Sequence, residues 1–198
     1  MSQALPAVYL VRHGETEWAV SGRHTGLTDI PLTERGETVA RRLGEHLRGW
    51  SVARIFTSPL SRARVTCELA GFGAMAEVDS DLVEWDYGEY EGLTTPEIRL
   101  KRPDWQLFRD GCPGGESLAQ IGARADRVIA RVRSLGCNVG LFSSGHIMRV
   151  LAARWLGLDA SYGRSLLLST ATLSILGYEH NLGEPVIRLW NDPRPGSD

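Results

Sequence analysis

The chain has 198 residues, 42% hydrophobic and 23% charged, a balance typical of one soluble globular domain. The formal net charge of −2 gives no electrostatic reason to expect nucleic acid or an anionic membrane as a partner. Three widely spaced cysteines favour neither a disulfide framework nor a zinc site, and no histidines show a metal-ligand spacing.

The first residues contain no basic segment followed by an apolar one, which is the pattern of a secretory signal. No apolar run approaches the length of a membrane span. We therefore expect a cytoplasmic protein that needs no metal or other cofactor. The sequence does not indicate an oligomeric state.

The first predicted strand, residues 8–11, stops abruptly at Arg12, His13 and Gly14. A short apolar run of this kind is typical of a buried strand. Such a strand delivers the two cationic side chains to its carboxyl end, where open α/β sheets bind ligands. Gly14 allows a sharp turn and a close approach of the backbone.

A helix follows, with Thr33 as its N-cap and Gly49 as its end, and residues 52–57 form the next predicted strand. Residues 61–70 are predicted to be helical, with Arg62 in the first turn. A cation there opposes the helix dipole, which indicates an anion nearby. The alternative is a solvated basic face, and this segment alone favours that alternative.

Residues 78–83 are predicted to be extended and to lead into the cluster of residues 84–92. This cluster mixes carboxylates, aromatic rings and glycines, as a functional loop does. A short helix is predicted from Thr95 to Pro103. A longer helix opens at Glu116 and Ser117, and its apolar stripe is interpreted as core.

Residues 139–143 are predicted to form another core strand, which ends in Ser144, Gly145 and His146 before a further helix. Residues 172–178 and 186–190 are predicted as two closing strands. The tail from Asp192 is expected to fray. The strand–helix alternation predicts one α/β domain over residues 1–198, a three-layer αβα sandwich with a mostly parallel sheet and one active site at the strand carboxyl ends.

Two stretches carry a resemblance to a known family. Residues 8–18 resemble the L-x-R-H-G-x-T signature of the histidine phosphatase superfamily, which also contains the cofactor-dependent phosphoglycerate mutases. The pattern from Ser58 through Arg62 to Thr66 resembles the second motif of that family. The resemblance implies a phosphoglycerate mutase-like fold and tips the interpretation of Arg62 towards anion binding.

The resemblance also implies roles for individual residues. His13 would attack phosphorus and become a phosphohistidine, while Arg12 and Arg62 would hold the phosphate through their planar forks. Glu84 would protonate the leaving oxygen and then deprotonate the attacking water, with Asp86 as its rival for that role. Such a role requires a raised pKa of the Glu84 carboxyl. Two neighbouring aromatic residues, Trp85 and Tyr87, could raise it by partial desolvation.

The last family motif shows a departure. Arg149 fixes its register, and five residues earlier, where the family has its second histidine, the chain has Ser144. His146 is two places too late and resembles the second histidine of the His-Gly-His found in related sequences. Loss of one such donor costs roughly 10²–10³ in turnover. The alternative is that the loop shifts and His146 fills the place.

The motifs at residues 22–33, 84–92 and 111–116 resemble the branch that contains sedoheptulose-1,7-bisphosphatase and small acid phosphatases. The mutases have an asparagine where this chain has Ala19, and a long insertion that it lacks. By that resemblance the substrate pocket is lined by His24, Thr25, Tyr87, Arg149 and His180. Taken singly, the two histidines could be solvated loop residues, and Arg149 could lie on a helix surface.

These observations predict a phosphomonoester hydrolase that acts on a small phosphorylated metabolite, a sugar phosphate in particular. The catalytic set is Arg12, His13, Arg62, Glu84, Ser144 and His146. Two alternatives stay open: a cofactor-dependent phosphoglycerate mutase, and a phosphate-binding protein whose catalysis is weakened by Ser144.

Overall fold

The computed structural model describes residues 4–193. Within them, six strands form one sheet in the order β3-β2-β4-β1-β5-β6. The strands are β1 (Val8–Arg12), β2 (Arg54–Thr57), β3 (Ala76–Val78), β4 (Val139–Ser143), β5 (Leu173–Tyr178) and β6 (Pro185–Asp192). The first four in space pair in parallel, while β5 and β6 are antiparallel. The prediction of a mostly parallel sheet is confirmed.

The helices are α1 (Glu17–Ser21), α2 (Glu34–His46), α3 (Ser61–Leu69), α4 (Thr95–Lys101), α5 (Leu107–Asp110), α6 (Leu118–Leu135) and α7 (Gly145–Trp155). Short 3₁₀ helices cover Gly73–Met75, Ser80–Leu82, Gly88–Tyr90 and Ala160–Ser165. The predicted N-cap Thr33 is confirmed, because its side-chain oxygen accepts a hydrogen bond from the backbone N–H three residues later. Ser117, predicted with Glu116 to open the longer helix, caps α6 in the same way.

The sheet buries both of its faces, as its alternating side chains require. Leu10 of β1 packs in a cluster with apolar side chains of α6 and α7, among them Ile121 and Val150. Its neighbour Val11 points the other way, into a cluster with α2 and α3 that includes Leu43. Helices therefore cover each side of the sheet, which confirms the three-layer αβα architecture.

Three predicted boundaries are wrong. Residues 78–83 are not one extended piece, because β3 ends at Val78 and Asp79 caps a 3₁₀ helix by accepting a hydrogen bond from Asp81 N–H. Helix α2 ends at His46, before the predicted end at Gly49. Asp192 is not frayed, because it pairs with Leu173 at the end of β6; the rest of the predicted tail from residue 194 lies outside the described residues.

Among residues 4–193, no helix is both long enough and apolar enough to cross a lipid bilayer. The cytoplasmic location stays a prediction.

Candidate active site

The loop after β1 is fixed by backbone contacts with its neighbours. His13 N–H donates to the carbonyl of Ser143 at the end of β4 (2.9 Å), and Gly14 N–H donates to Thr66 Oγ1 on α3 (2.9 Å). A side chain at position 14 would place its Cβ 2.7 Å from the carbonyl oxygen of Gly36, so only glycine fits there. The carboxyl end of β1 is thus held between β4, α3 and α2.

The His13 ring is held in one orientation by its own loop. Its Nδ1 lies 2.7 Å from the carbonyl oxygen of Gly14, and since a carbonyl can only accept, Nδ1 is assigned the proton. Nε2 then keeps its lone pair. Burial, reinforced by the positive charges of Arg12 and Arg62, lowers the pKa of His13 to about 3. The ring is therefore neutral at pH 7, which is the nucleophilic form.

Two arginines flank His13, of which Arg62 is buried and Arg12 is half-buried. Arg12 donates to the carbonyl of Leu168 and packs against the backbone of Gly145. Arg62 is fully buried and donates to the carbonyls of Thr28 (2.9 Å), Gly26 (2.8 Å) and Thr25 (3.2 Å). Within residues 4–193, Nε of both arginines has no hydrogen-bond partner. Burial lowers both pKa values, but arginine starts so high that both stay charged.

The Glu84 carboxylate sits at the N-terminus of α7. It accepts hydrogen bonds from the backbone N–H groups of Trp85 (2.9 Å), Ile147 (2.8 Å) and His146 (2.8 Å). Burial pushes the pKa of Glu84 upward, but the His146 side chain and these N–H donors outweigh it, so the pKa is lowered. The expected raised pKa is therefore wrong for this structure: Trp85 and Tyr87 are buried, yet the carboxylate is held in its charged form.

One wall of the site is aromatic. The Tyr87 hydroxyl lies 2.6 Å from Nδ1 of His146, and the rings of His24 and Tyr87 have centroids 4.8 Å apart. His24 Nε2 lies 3.3 Å from Thr95 Oγ1. Burial, with a smaller effect of His146, lowers the pKa of His24 to about 4, and burial also lowers the pKa of His146. The His24 imidazole is therefore neutral at pH 7.

These groups surround a pocket of about 190 Å³. It is lined by Arg12, His13, Ala19, Gly22, Arg23, His24, Thr25, Glu84, Tyr87 and His146. The structure thus brings most of the predicted residues together, and Arg62 is close enough to act on the pKa of His13. Sequence reasoning missed Gly22 and Arg23 as lining residues, although both adjoin His24 in the motif that begins at residue 22.

Ser144 and His146 occupy different places. Ser144 is the N-cap residue of α7, is 1% exposed and follows the β4 residue that pairs with Arg12. Within the described part of the chain, its hydroxyl has no hydrogen-bond partner. Ser144 is not among the residues that line the pocket, whereas His146 lines its aromatic wall.

Three further residues named from the sequence do not line the pocket. Arg149 donates to the carbonyls of Gly163 and Arg164 (both 2.9 Å) and lies over the Phe108 ring. His180 is in the turn between β5 and β6, where it is exposed and pairs with Glu184 (2.7 Å). Asp86, the rival of Glu84, accepts a hydrogen bond from Gly88 N–H (2.9 Å) within its own loop.

The fold and the pocket define an α/β enzyme that presents an uncharged histidine between two arginines at the end of a sheet strand. The sequence profile of the histidine phosphatase superfamily (branch 1) matches residues 8–193. The chain therefore belongs to the histidine phosphatase superfamily, and it is a histidine-type phosphatase.

Relatives and solved structures agree with this assignment. The chain is 41% identical to an acid phosphatase of Mycobacterium tuberculosis over 94% of each chain. It is 40% identical to sedoheptulose 1,7-bisphosphatase of Saccharomyces cerevisiae, covering 80% of this chain and 70% of the relative. The structure of an open reading frame of Mycobacterium tuberculosis superposes with a TM-score of 0.89 and 39% identity, covering 94% of this chain and 97% of that one.

Proposed function

We propose that the protein hydrolyses monoesters of small phosphorylated metabolites, sugar phosphates in particular, through a phosphohistidine on Nε2 of His13. The observation that supports this most is the state of His13. Its hydrogen bond to Gly14 frees Nε2, and its lowered pKa keeps that atom unprotonated. The two arginines beside it supply the fixed positive charge that a transferring phosphoryl group needs.

In the proposed first step, Nε2 attacks phosphorus and the bond from phosphorus to the leaving oxygen breaks. Arg12 and Arg62 bind the equatorial oxygens, with their unpartnered Nε–H groups as available donors. Glu84, which lines the same pocket, passes a proton to the leaving oxygen. In the second step, water attacks the phosphohistidine while Glu84 accepts its proton, and inorganic phosphate leaves.

The lowered pKa of Glu84 constrains where the first proton comes from. The carboxylate is ionised in the free enzyme, so the proton enters with the substrate as the ester monoanion. A phosphate ester loses its second proton with a pKa of about 6. Once the ester is bound, its negative charge beside Glu84 favours transfer of that proton to the carboxylate.

The size and lining of the pocket support the proposed substrate class. A volume of about 190 Å³ suits a small ester. Thr25, His24 and Tyr87 offer hydroxyl and imidazole groups to sugar hydroxyls. The names of two similar proteins also contain sugar groups. One is the yeast sedoheptulose 1,7-bisphosphatase, and the other is a mycobacterial glucosyl-3-phosphoglycerate phosphatase with 25% identity and a TM-score of 0.83, covering 96% of this chain and all of that one.

A panel of phosphorylated sugars tests the proposal, with release of inorganic phosphate as the measurement. The alternative function, phosphoglycerate mutase, is favoured by 34% identity to a probable phosphoglycerate mutase of Salmonella choleraesuis over 88% of this chain. Ala19, where the mutases have asparagine, counts against it. A rate of 3-phosphoglycerate isomerisation well above the rate of phosphate release would overturn the assignment as a hydrolase.

The other alternative, a phosphate-binding protein with weakened catalysis, is favoured by the buried and unpartnered hydroxyl of Ser144. A protein of this kind would bind a sugar phosphate without turning it over. We propose that Ser144 takes the place of the second histidine and lowers turnover without abolishing it.

A further inference from the structure

Arg124 lies on the buried face of α6. It is 7% exposed and is flanked on the helix by Ile121, Ala125 and Val128, all members of the apolar core. A guanidinium in such a place costs free energy unless its donors are satisfied. Its partners therefore indicate why the position is not apolar.

The backbone partners of Arg124 all belong to the segment that leads up to Glu84. Its Nη1 donates to the carbonyls of Asp81 (2.8 Å) and Val83 (2.6 Å), and its Nη2 donates to the carbonyl of Glu84 itself (3.2 Å). The planar fork also bonds both carboxylate oxygens of Glu116, at 2.9 and 2.7 Å. One guanidinium thus holds three carbonyls that lead up to Glu84.

Glu116 holds the other end of the same segment. Its backbone N–H donates to the carbonyl of Asp86 (2.9 Å), and its carbonyl accepts from the indole N–H of Trp85 (2.7 Å). Its carboxylate also accepts from Asp86 N–H (3.5 Å). Arg124 and Glu116 therefore hydrogen-bond to the backbone on both sides of Glu84.

The segment of residues 80–84 depends on these hydrogen bonds because it is not part of a strand of the sheet. Residues 80–82 form a 3₁₀ turn, and Glu84 lies in the irregular stretch that follows. The carboxylate of Glu84 must nevertheless meet the N–H groups of His146 and Ile147 at 2.8 Å. A shift of 1 Å in such a group is enough to cost a large factor in rate.

We infer that Arg124 and Glu116 are positioning residues for Glu84. Together they fix how far the Glu84 carboxylate, the proton donor, extends into the pocket. The inference rests on the proposed function, in which Glu84 protonates the leaving oxygen. Lysine cannot replace Arg124, because a single ammonium cannot span a carboxylate and three carbonyls at once.

The test uses leaving groups of different quality. The dinitrophenolate of 2,4-dinitrophenyl phosphate leaves without a proton, whereas the alkoxide of glycerol 2-phosphate needs one. The measurement is the ratio of kcat/KM for the two esters, which does not depend on the fraction of folded enzyme. We expect Arg124→Lys to lower kcat/KM for glycerol 2-phosphate by about 10²-fold, the size of a general-acid contribution, and to lower it far less for the dinitrophenyl ester.

Arg127 provides the matched control. It lies three residues further along α6 and pairs with the Asp81 carboxylate at 3.0 and 2.6 Å, but it is exposed and does not contact Glu84. Arg127→Lys should leave the ratio unchanged. Glu116→Gln keeps the shape of the side chain but removes the negative charge that pairs with Arg124. It should therefore change the ratio in the same direction as Arg124→Lys. If Arg124→Lys fails to fold, Glu116→Gln tests the inference in its place.

Glu84→Gln separates the two possible failures. If Glu84→Gln changes the ratio but Arg124→Lys and Glu116→Gln do not, the positioning role is wrong and the proposed function stands. If Glu84→Gln leaves the ratio unchanged, the proton-donor role of Glu84 is wrong, and the inference falls with it. An equal change of the ratio in Arg127→Lys would show only a general loss of order around residue 81, which also overturns the inference.

Discussion

The two ends of the pocket are built in different ways. At the phosphate end, His13 is fixed by backbone contacts with Ser143 and Gly14, and Arg62 is tied to three carbonyls. At the leaving-group end, the side chains of Tyr87 and His146 contact each other directly, while the Glu84 carboxylate is held by backbone N–H groups at the N-terminus of α7. The first end cannot change without disturbing the sheet. The aromatic wall of the second end is made of side-chain contacts, so we expect substitutions there to alter substrate specificity more than the position of His13.

The phosphate end should give the largest effect. We expect His13→Ala to lower kcat by about 10⁴-fold or more, because no other group in the pocket has a free nitrogen flanked by the arginines. Release of inorganic phosphate from the best sugar phosphate of the panel is the measurement. His180→Ala, an exposed histidine away from the pocket, is the control and should match the unmodified enzyme. A His13→Ala enzyme within tenfold of the original would show that the nucleophile is elsewhere.

The second prediction concerns Ser144 and His146, the two candidates for the place of the second histidine. Ser144→His should raise kcat by about 10²-fold with little change in KM, because it restores one donor that acts mainly in the transition state. His146→Ala should cost much less than His13→Ala, since His146 belongs to the aromatic wall. Steady-state kinetics of the two variants decide the matter. No change in Ser144→His together with loss of activity in His146→Ala would make His146 the true second histidine.

The third prediction is the pH dependence of kcat/KM, which reports on Glu84 at one end of the pocket and on His13 at the other. Because the pKa of Glu84 is lowered, the catalytic proton arrives with the ester monoanion, whose population falls above about pH 6. For an alkyl phosphate, kcat/KM should therefore fall about tenfold per pH unit above that point. It should also fall as pH approaches 3, where His13 gains a proton and loses its lone pair. An activity that rises steadily up to pH 9 would contradict this account of the proton.

The phosphate end was predictable from the sequence because it is local. Arg12, His13 and Gly14 are consecutive, and their position at a strand end follows from a short apolar run. The three-layer fold follows from the same alternation. The motif around Arg62 supplied the second cation, which the structure places close enough to lower the pKa of His13.

The leaving-group end was harder, because it depends on how separate loops meet. The structure does not bring His180 to the pocket, because the turn between β5 and β6 leaves its side chain exposed beside Glu184. The raised pKa of Glu84 was wrong because the sequence does not show that its carboxylate meets the N-terminus of α7. Arg124 was missed, although an arginine three residues after Ile121, inside the apolar stripe of α6, could have revealed it.

The smallest expected effect concerns stability, and it comes from the aromatic wall. The folded protein holds the pKa of His24 at about 4, below the ordinary value of 6.5, so the unfolded chain binds a proton first as pH falls. His24 therefore destabilises the fold progressively between about pH 6.5 and pH 4, by an amount on the order of 1–3 kcal/mol. His24→Asn removes this titration, so the free energy of unfolding in urea should fall less between pH 7 and pH 4.5 than in the unmodified protein. His46→Asn, on the surface of α2, is the control and should follow the unmodified protein. Equal losses in all three proteins would mean that His24 carries no such cost, and that the acid sensitivity belongs to the buried His13 at the phosphate end.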